Sequence, residues 1–356
     1  MSAVIVFGNG LSVGFDPQLS LSSLTDRVIA RLGGEYTAIL EGLSQLANPD
    51  DPDEPVPALR RNFERLAGPI DRLAAVFLAL EPLMGADVAV FRSLRTAADE
   101  LRRHYLKIVG AVLLEIDSSC RVPFQNPARE QQWQRMFALG DSLRTLHARF
   151  RSSCYFTLNY DSLLTAAMLE RGRYVYDGFR HLHLNEPLDP WREPPLFHLH
   201  GSTAWVRMPD GQIMKRSMQQ VRDGGSLDRW SRGDATQGLP IVVLGDLKTA
   251  QVEHFPIRMF YAELIRRLER VSLAVTGGYS FSDIPLNRAL GRFLQRSRGN
   301  TLLVWDSTEV DLDRIRRRLS TAGGGGEIQA AQLEEERTEL PSQDVVDRLI
   351  ERLRRA

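Results

Sequence analysis

Hydrophobic residues change their spacing twice along this chain. Val4–Phe7 form an unbroken apolar run that stops at Gly8-Asn9-Gly10, with Ser12 and Gly14 just beyond. An uninterrupted apolar run closed by glycine is the pattern of a buried strand ending in a tight turn. From Leu24 to Phe150 the spacing becomes helical, beginning with Leu24, Val28, Ile29 and Leu32. Ala86–Asp117 and Pro127–Phe150 read as long helices, and residues 48–57 (NPDDPDEPVP) as a proline-rich acidic loop. Gly68-Pro69 predicts the end of one helix and the start of another, with Pro in the first turn. From Ser153 onward short apolar runs return, at 154–158, 196–200, 241–245, 272–278, 301–305 and 327–331. Helical stretches such as Tyr160–Arg171 and Pro256–Arg270 separate them, and TAWVRMPDGQIMKR predicts a hairpin about Pro209-Asp210-Gly211.

Short apolar strands alternating with helices imply an α/β fold with a doubly wound, Rossmann-like parallel sheet. The opening strand belongs to that sheet, so the helical stretch is a large all-α insertion after it. The expected division is residues 1–24 with 151–356 as the sheet domain, and 25–150 as the helical insertion. Ligands of such sheets bind beyond the carboxyl ends of the strands. Six strand ends offer polar groups there. They are Gly8–Ser12; Thr157, Asn159 and Asp161; His198, His200 and Ser202; Gly245 and Asp246; Gly277–Asp283; and Asp306 with Ser307.

Charge and composition narrow the partners. Lys plus Arg and Asp plus Glu both number 45, which leaves no broad electrostatic attraction to nucleic acid or an anionic membrane. The longest apolar run, Leu73–Leu80 between Arg72 and Glu81, falls short of the ~18 residues of a membrane span. The opening apolar run lacks a basic leader and breaks at Gly8, so it reads as a strand and not as a signal peptide. Two cysteines, Cys120 and Cys154, are too few for a disulfide framework or a four-thiolate zinc site. A cytoplasmic protein without a metal is the expectation.

Each polar group at the strand ends has two readings. Gly8–Ser12 brings backbone close to an anion, or simply turns the chain from strand to helix. It is not GxGxxG, so the dehydrogenase fingerprint is missing. One of Asn159 and Asp161 caps the following helix, which leaves the other to face a ligand. His200, before Gly-Ser at the rim, suits acid–base work, whereas His198 lies on the strand face. His181, His183, His198 and His200 together raise a metal site, but no carboxylate or thiolate spacing supports it. Asp306 accepts a ribose diol or caps a helix. GGYSFSD (277–283) does not fit the GxSxG nucleophile elbow.

Taken in order, GNGLS, TLNYD, HLHGS, VVLGD, GGYSFSD and VWDS resemble the sirtuin-like NAD-binding domain, and its bacterial anti-phage branch of NAD-consuming proteins most closely. The resemblance covers residues 1–16 and roughly 153–335, not the helical insertion. It implies a sirtuin-type fold with Gly8, Gly10 and Ser12 at the phosphates, and Asn9 bringing an extra amide near the pyrophosphate. Phe15 and Asp16 close that NAD-contacting stretch, and Thr157 and Gly245 join it from two further strand ends. The resemblance also implies Asn159 and Asp161 beside the nicotinamide ribose, and His200 as the catalytic histidine. Gly278, Tyr279, Ser280 and Asp283 fall toward the adenosine half, and Asp306 at a ribose. Deacylating sirtuins carry a domain stapled by four zinc-bound cysteines, and this chain has no such cysteines. The resemblance therefore points to an NAD glycohydrolase that consumes NAD as substrate and yields nicotinamide and ADP-ribose, as the toxic effector of an anti-phage system. Asn159 orients a water or ribose hydroxyl, and His200 takes its proton at an oxocarbenium-like ribose. An NAD- or ADP-ribose-sensing module and an ADP-ribosyltransferase are the alternatives; a protein deacylase is disfavoured. Self-association and restraint by a partner such as an ATPase are expected, because a free NAD hydrolase would deplete its own cell.

Overall fold

The computed structural model describes residues 3–34, 36, 62–80, 88–121, 126–149, 153–169, 175–180, 183–184, 194–216, 225–236, 238–244, 248–306, 311–323, 333–337 and 351. The chain forms two compact units: residues 1–20, 120–202 and 249–356 make the first, and residues 21–119 and 203–248 the second. This division differs from the sequence expectation in three places: residues 21–24 and 203–248 join the helical unit, and residues 120–150 join the sheet-bearing one.

The first unit is built on a parallel sheet of six strands. They are β1 (Ala3–Phe7), β2 (Cys154–Thr157), β5 (Leu196–His198), β9 (Leu273–Gly277), β10 (Thr301–Asp306) and β11 (Leu333–Arg337), and a short antiparallel pair, β3 (Phe179–Arg180) and β4 (His183–Leu184), lies apart from them. The spatial order is β11-β10-β9-β1-β2-β5, so the winding reverses at β1 and the switch point falls between β1 and β9. Every residue of β1, β2, β5 and β9 is buried, as a sheet covered on both faces requires. Helices α1 (Asn9–Phe15), α5 (Glu130–Arg149), α6 (Leu163–Leu169), α8 (Ile257–Leu268), α9 (Ile284–Arg296) and α10 (Leu312–Gly323) belong to this unit. In α9 the apolar face Leu286, Leu290, Phe293 and Leu294 is buried, following the period of a helix packed on one side.

The second unit holds α2 (Leu21–Leu32), α3 (Phe63–Leu80), α4 (Val88–Ser119) and α7 (Gly225–Ser231). It also contains the expected hairpin, β6 (Gly201–Arg207) with β7 (Ile213–Lys215), whose turn passes through Gly211 at φ +86°. Gly68-Pro69 does not break the helix, because α3 runs through it with Pro69 inside. Inside a helix proline removes one hydrogen bond and crowds the carbonyl four residues back, a cost of ~3 kcal/mol. Phe63, Ala67, Ile70 and Ala74, all buried, keep one continuous apolar face across that point. The apolar run at 241–245 was expected as a strand of the parallel sheet. Instead β8 (Leu239–Val242) lies beside β6, on the side away from β7, in a second sheet. A continuous apolar run suits any buried strand, and β6 offered an open edge whose backbone groups needed partners. The strand expected at 327–331, the acidic loop 48–57 and His181 lie outside the described residues. No helix among the described residues is long and apolar enough to cross a membrane.

A close helix contact sets a test of the second unit. A Cβ built on Gly110 of α4 would meet Ser231 N and Trp230 C, and would lie 2.7 Å from Trp230 Cβ. Gly110→Ala should therefore destabilise the protein by ~1–3 kcal/mol through overpacking. Gly34 has nothing within 4 Å of an added Cβ, so Gly34→Ala should leave stability unchanged or raise it by up to ~1 kcal/mol. Urea unfolding of the two variants checks this, and equal effects would refute the packing account.

Candidate active site

The register of the sheet brings five strand ends level. Phe7, Thr157, His198, Gly277 and Trp305 are successive partners on one rung. One step further, Leu158 N–H donates to Phe7 O (2.9 Å), Leu199 N–H to Thr157 O (2.8 Å), Gly8 N–H to Gly277 O (2.9 Å) and Gly278 N–H to Trp305 O (3.0 Å). Beyond that rung the chain leaves the sheet after β1, β2, β5 and β9, while β10 continues to Asp306, and there the candidate residues gather. Gly245 lies outside the described residues, and β8, which precedes it, is not in this sheet.

At the switch point two glycine turns touch. Gly10 N–H donates to Gly278 O at 2.8 Å. A Cβ on Gly8 would lie 2.6 Å from Gly278 O, and one on Gly10 2.6 Å from Gly278 Cα. Gly278 itself sits at φ +60°, where a side chain is strained. Backbone packing thus accounts for all three glycines. The amides of Gly8 and Gly10 are bonded inside the fold, while Gly10 keeps an exposed side from which a ligand can approach. The Asn9 side chain donates to Leu19 O at 3.2 Å.

Behind this turn lies a buried polar cluster. Ser12 Oγ donates to Asp161 Oδ2 (2.5 Å) and accepts from Asn159 Nδ2 (2.7 Å). Asp161 Oδ1 accepts the Leu163 amide at 3.0 Å, capping α6, and Thr157 Oγ1 accepts the Asn159 amide at 3.1 Å. Asp161 therefore takes the capping role. Asn159 Oδ1 is buried with no partner in the protein, although a buried acceptor without a bond is costly. Burial raises the Asp161 carboxyl above its ordinary value, against the lowering effect of its bonds from Ser12 and Leu163.

The two histidines at the next strand end differ in kind. His198 is held at both nitrogens, with Nδ1 donating to Asn159 O (3.1 Å) and Nε2 accepting from the Thr165 hydroxyl (3.0 Å). It ties β5 to the Asn159 segment. His200 Nε2 faces Asp283 Oδ2 at 2.9 Å, and Tyr261 Oη lies 3.4 Å from the same nitrogen. The His200 ring stacks on Tyr160, with centroids 6.3 Å apart and planes 30° from parallel. Tyr261 Oη donates to Asp283 Oδ1 at 3.2 Å, and that oxygen also accepts the Leu286 amide at 2.9 Å. Burial first, and the Asp283 charge second, keep Tyr261 protonated well above the ordinary tyrosine range.

Other expected contacts turn inward. Phe15 packs edge-on against Trp133 at 5.3 Å, and Asp16 caps a short turn through the Gln18 amide (3.0 Å) while pairing with Arg129. Tyr279 is buried, with its hydroxyl on Asp283 O (3.0 Å) and Asn287 Oδ1 (2.8 Å). Ser280 is exposed and bonds Ser282 at 2.9 Å; Asp306 is half-buried at the end of β10. The roles of Asp283 and Tyr261 beside His200 were missed from the sequence. Asp283 carries a cap signal two residues before Pro285, but Tyr261 looks like any apolar-face residue of an amphipathic helix. Among the described residues no three of His, Cys, Asp and Glu group as a metal site requires.

Residues 153–323 match the family model described as "SIR2-like domain". No curated protein matches the chain. Among solved structures, a Sir2 homologue in complex with NAD aligns at 14% identity and TM-score 0.45, covering 99% of this chain and 90% of that one. A Sir2 enzyme studied for mechanism and regulation aligns at 13% identity and TM-score 0.37, covering 100% and 94%. A serine-to-alanine variant of a Sir2 homologue bound to ADP-ribose aligns at 14% identity and TM-score 0.33, covering 99% and 92%.

The buried cluster sets a pH-dependent test. A carboxyl raised above its unfolded value of 3.8 holds its proton longer when folded, so its contribution to stability falls as pH rises from there. Asp161→Asn removes that ionisation. Its stability relative to the native protein should therefore increase between pH 4 and pH 7, read as the difference between urea midpoints. A flat or opposite trend would show that Asp161 is not held up by burial. Ser12→Ala, which leaves Asp161 Oδ2 and Asn159 Nδ2 without their partner, should cost ~1–3 kcal/mol at neutral pH.

Proposed function

We propose that the chain is an NAD glycohydrolase, with NAD as substrate and nicotinamide and ADP-ribose as products. The observation that carries this reading is the unpartnered, buried Asn159 Oδ1, two residues beyond the rung that His200 also follows by two. That acceptor suits a water or a ribose hydroxyl. His200, backed by Asp283 and stacked on Tyr160, supplies a base at the neighbouring strand end. The SIR2-like match over 153–323 supports NAD as the ligand class.

In the reaction the C1′–N bond breaks and its electron pair goes to the nicotinamide ring, which leaves neutral. Positive charge develops on the ribose as in other glycosidic cleavages. Water adds through oxygen to C1′, and its proton passes to His200 and then to solvent. Asn159 orients the water, and Ser12 and Asp161 hold Asn159 in place. Gly8, Asn9, Gly10, Ser12, Phe15, Asp16 and Thr157 on one side, and Gly278, Tyr279, Ser280, Asp283 and Asp306 on the other, frame the dinucleotide. Phe15, Asp16 and Tyr279 act through the fold, since their side chains are bonded or packed within it. We assign the enzyme to the cytoplasm and to anti-phage defence, as a self-associating effector restrained by a partner protein such as an ATPase. The six ordered motifs support that assignment.

Purified protein incubated with NAD should release nicotinamide, followed by chromatography. His200→Ala and Asn159→Ala should each lower turnover by at least ~100-fold while the protein stays folded, with a lowered unfolding midpoint because both side chains are buried and bonded. His198→Ala should lose stability first, because it unties Asn159 O and Thr165. Tight binding of NAD or ADP-ribose without release would identify a sensing module, and label transferred to a macromolecule an ADP-ribosyltransferase.

A further inference from the structure

A helix cap does not need a histidine. Asp283 caps α9 through the Leu286 amide, as many aspartates do at exposed helix starts. Here the carboxylate is 2% exposed and its second oxygen lies 2.9 Å from His200 Nε2, with His200 3% exposed. Burying a carboxylate is costly unless every lone pair is used. Its capping oxygen takes two donors, the Leu286 amide and the Tyr261 hydroxyl, and its backbone carbonyl takes the Tyr279 hydroxyl. The carboxylate is therefore held at one oxygen by two donors, and its other oxygen lies 2.9 Å from the imidazole Nε2.

We infer that Asp283 is the positioning residue of the active site: it holds the proton of neutral His200 on Nε2 and so makes Nδ1 the nitrogen that accepts the substrate proton. This deepens the glycohydrolase reading and rests on it for the catalytic consequence, but not for the tautomer. The chemistry follows from donor counting. A carboxylate only accepts, so the Nε2 that faces it must carry hydrogen. Nδ1 is then the basic nitrogen, and the imidazolium formed when water gives up its proton is stabilised by the adjacent carboxylate. His198 is not a competitor, because both its nitrogens are already engaged. Tyr261 supports the arrangement by donating to the carboxylate.

Asp283→Asn tests this without removing the cap, since Asn caps helices as well as Asp. The Leu286 amide and the Tyr261 hydroxyl both require an acceptor, so the Asn carbonyl must take their side. Its NH2 then faces His200 Nε2, which must accept, and the ring proton moves to Nδ1. With histidine labelled in nitrogen-15 and His200 assigned by comparison with His200→Gln, the neutral ring of the native protein should show hydrogen on Nε2. In Asp283→Asn it should show hydrogen on Nδ1. Nicotinamide release should fall ~100- to 10,000-fold in kcat, with KM altered by less than about threefold and the unfolding midpoint held. A native ring protonated on Nδ1, or an Asp283→Asn variant with native kcat, overturns the proposal. If the variant does not fold, the native spectrum alone decides. If the native protein releases no nicotinamide but the proton sits on Nε2 and moves in the variant, the glycohydrolase reading fails and the His200–Asp283 pairing stands.

Discussion

The contact between the Gly8-Asn9-Gly10 turn and Gly277-Gly278 governs the arrangement of the candidate site. Backbone meets backbone there at distances that leave no room for a side chain. The first turn donates two hydrogen bonds to the carbonyls of Gly277 and Gly278 where the strand order reverses. Because Gly278 is pinned to Gly10 and to Trp305, the loop that follows has little freedom. It carries Phe281 at φ +57°, unusual for a buried aromatic, and packs it against Tyr279 at 4.6 Å. That loop delivers Asp283 to His200. A strained residue held by its surroundings is typical of sites where geometry matters more than local comfort.

Two polar systems hang from this frame, and they divide the work. Ser12, Asn159 and Asp161 join the turn after β1 to the turn after β2, and leave one amide oxygen open. His200, Asp283 and Tyr261 join the end of β5 to α8 and to the start of α9. His198 links the systems at the backbone, because its Nδ1 bonds the carbonyl of Asn159. Each system is buried and almost wholly hydrogen-bonded, so neither has slack to repack around a lost member. By contrast, both cysteines are buried, and burial pushes the Cys154 thiol far up, so it is an inert part of the core.

Much of this was legible along the chain. An apolar run closed by Gly-Asn-Gly reads as a buried strand entering a tight turn, and alternation of such runs with helices leads to a parallel sheet by the need to cover both faces. The carboxyl ends of β1, β2, β5, β9 and β10 were found this way, and with them Ser12, Asn159, Asp161, His200 and Asp283. These are local signals, since each depends on residues a few positions apart.

Other features depend on which segments meet, and no local signal carries that. The run at 241–245 was apolar enough for the parallel sheet, yet an open hairpin edge took β8 instead. Gly68-Pro69 had the chemistry of a helix break, and a continuous buried face on α3 overrode it. The glycines of the first turn suggested a phosphate, while their spacing answers to Gly278, nearly 270 residues away in the sequence. Asp283 and Tyr261 acquire their meaning only from His200, which reaches them through the register of β5 against β2. Sequence alone determined the elements and the polar residues at their ends. Tertiary structure decided how those residues are bonded within the fold and left an acceptor open on Asn159, because hydrogen bonding is settled by proximity in space.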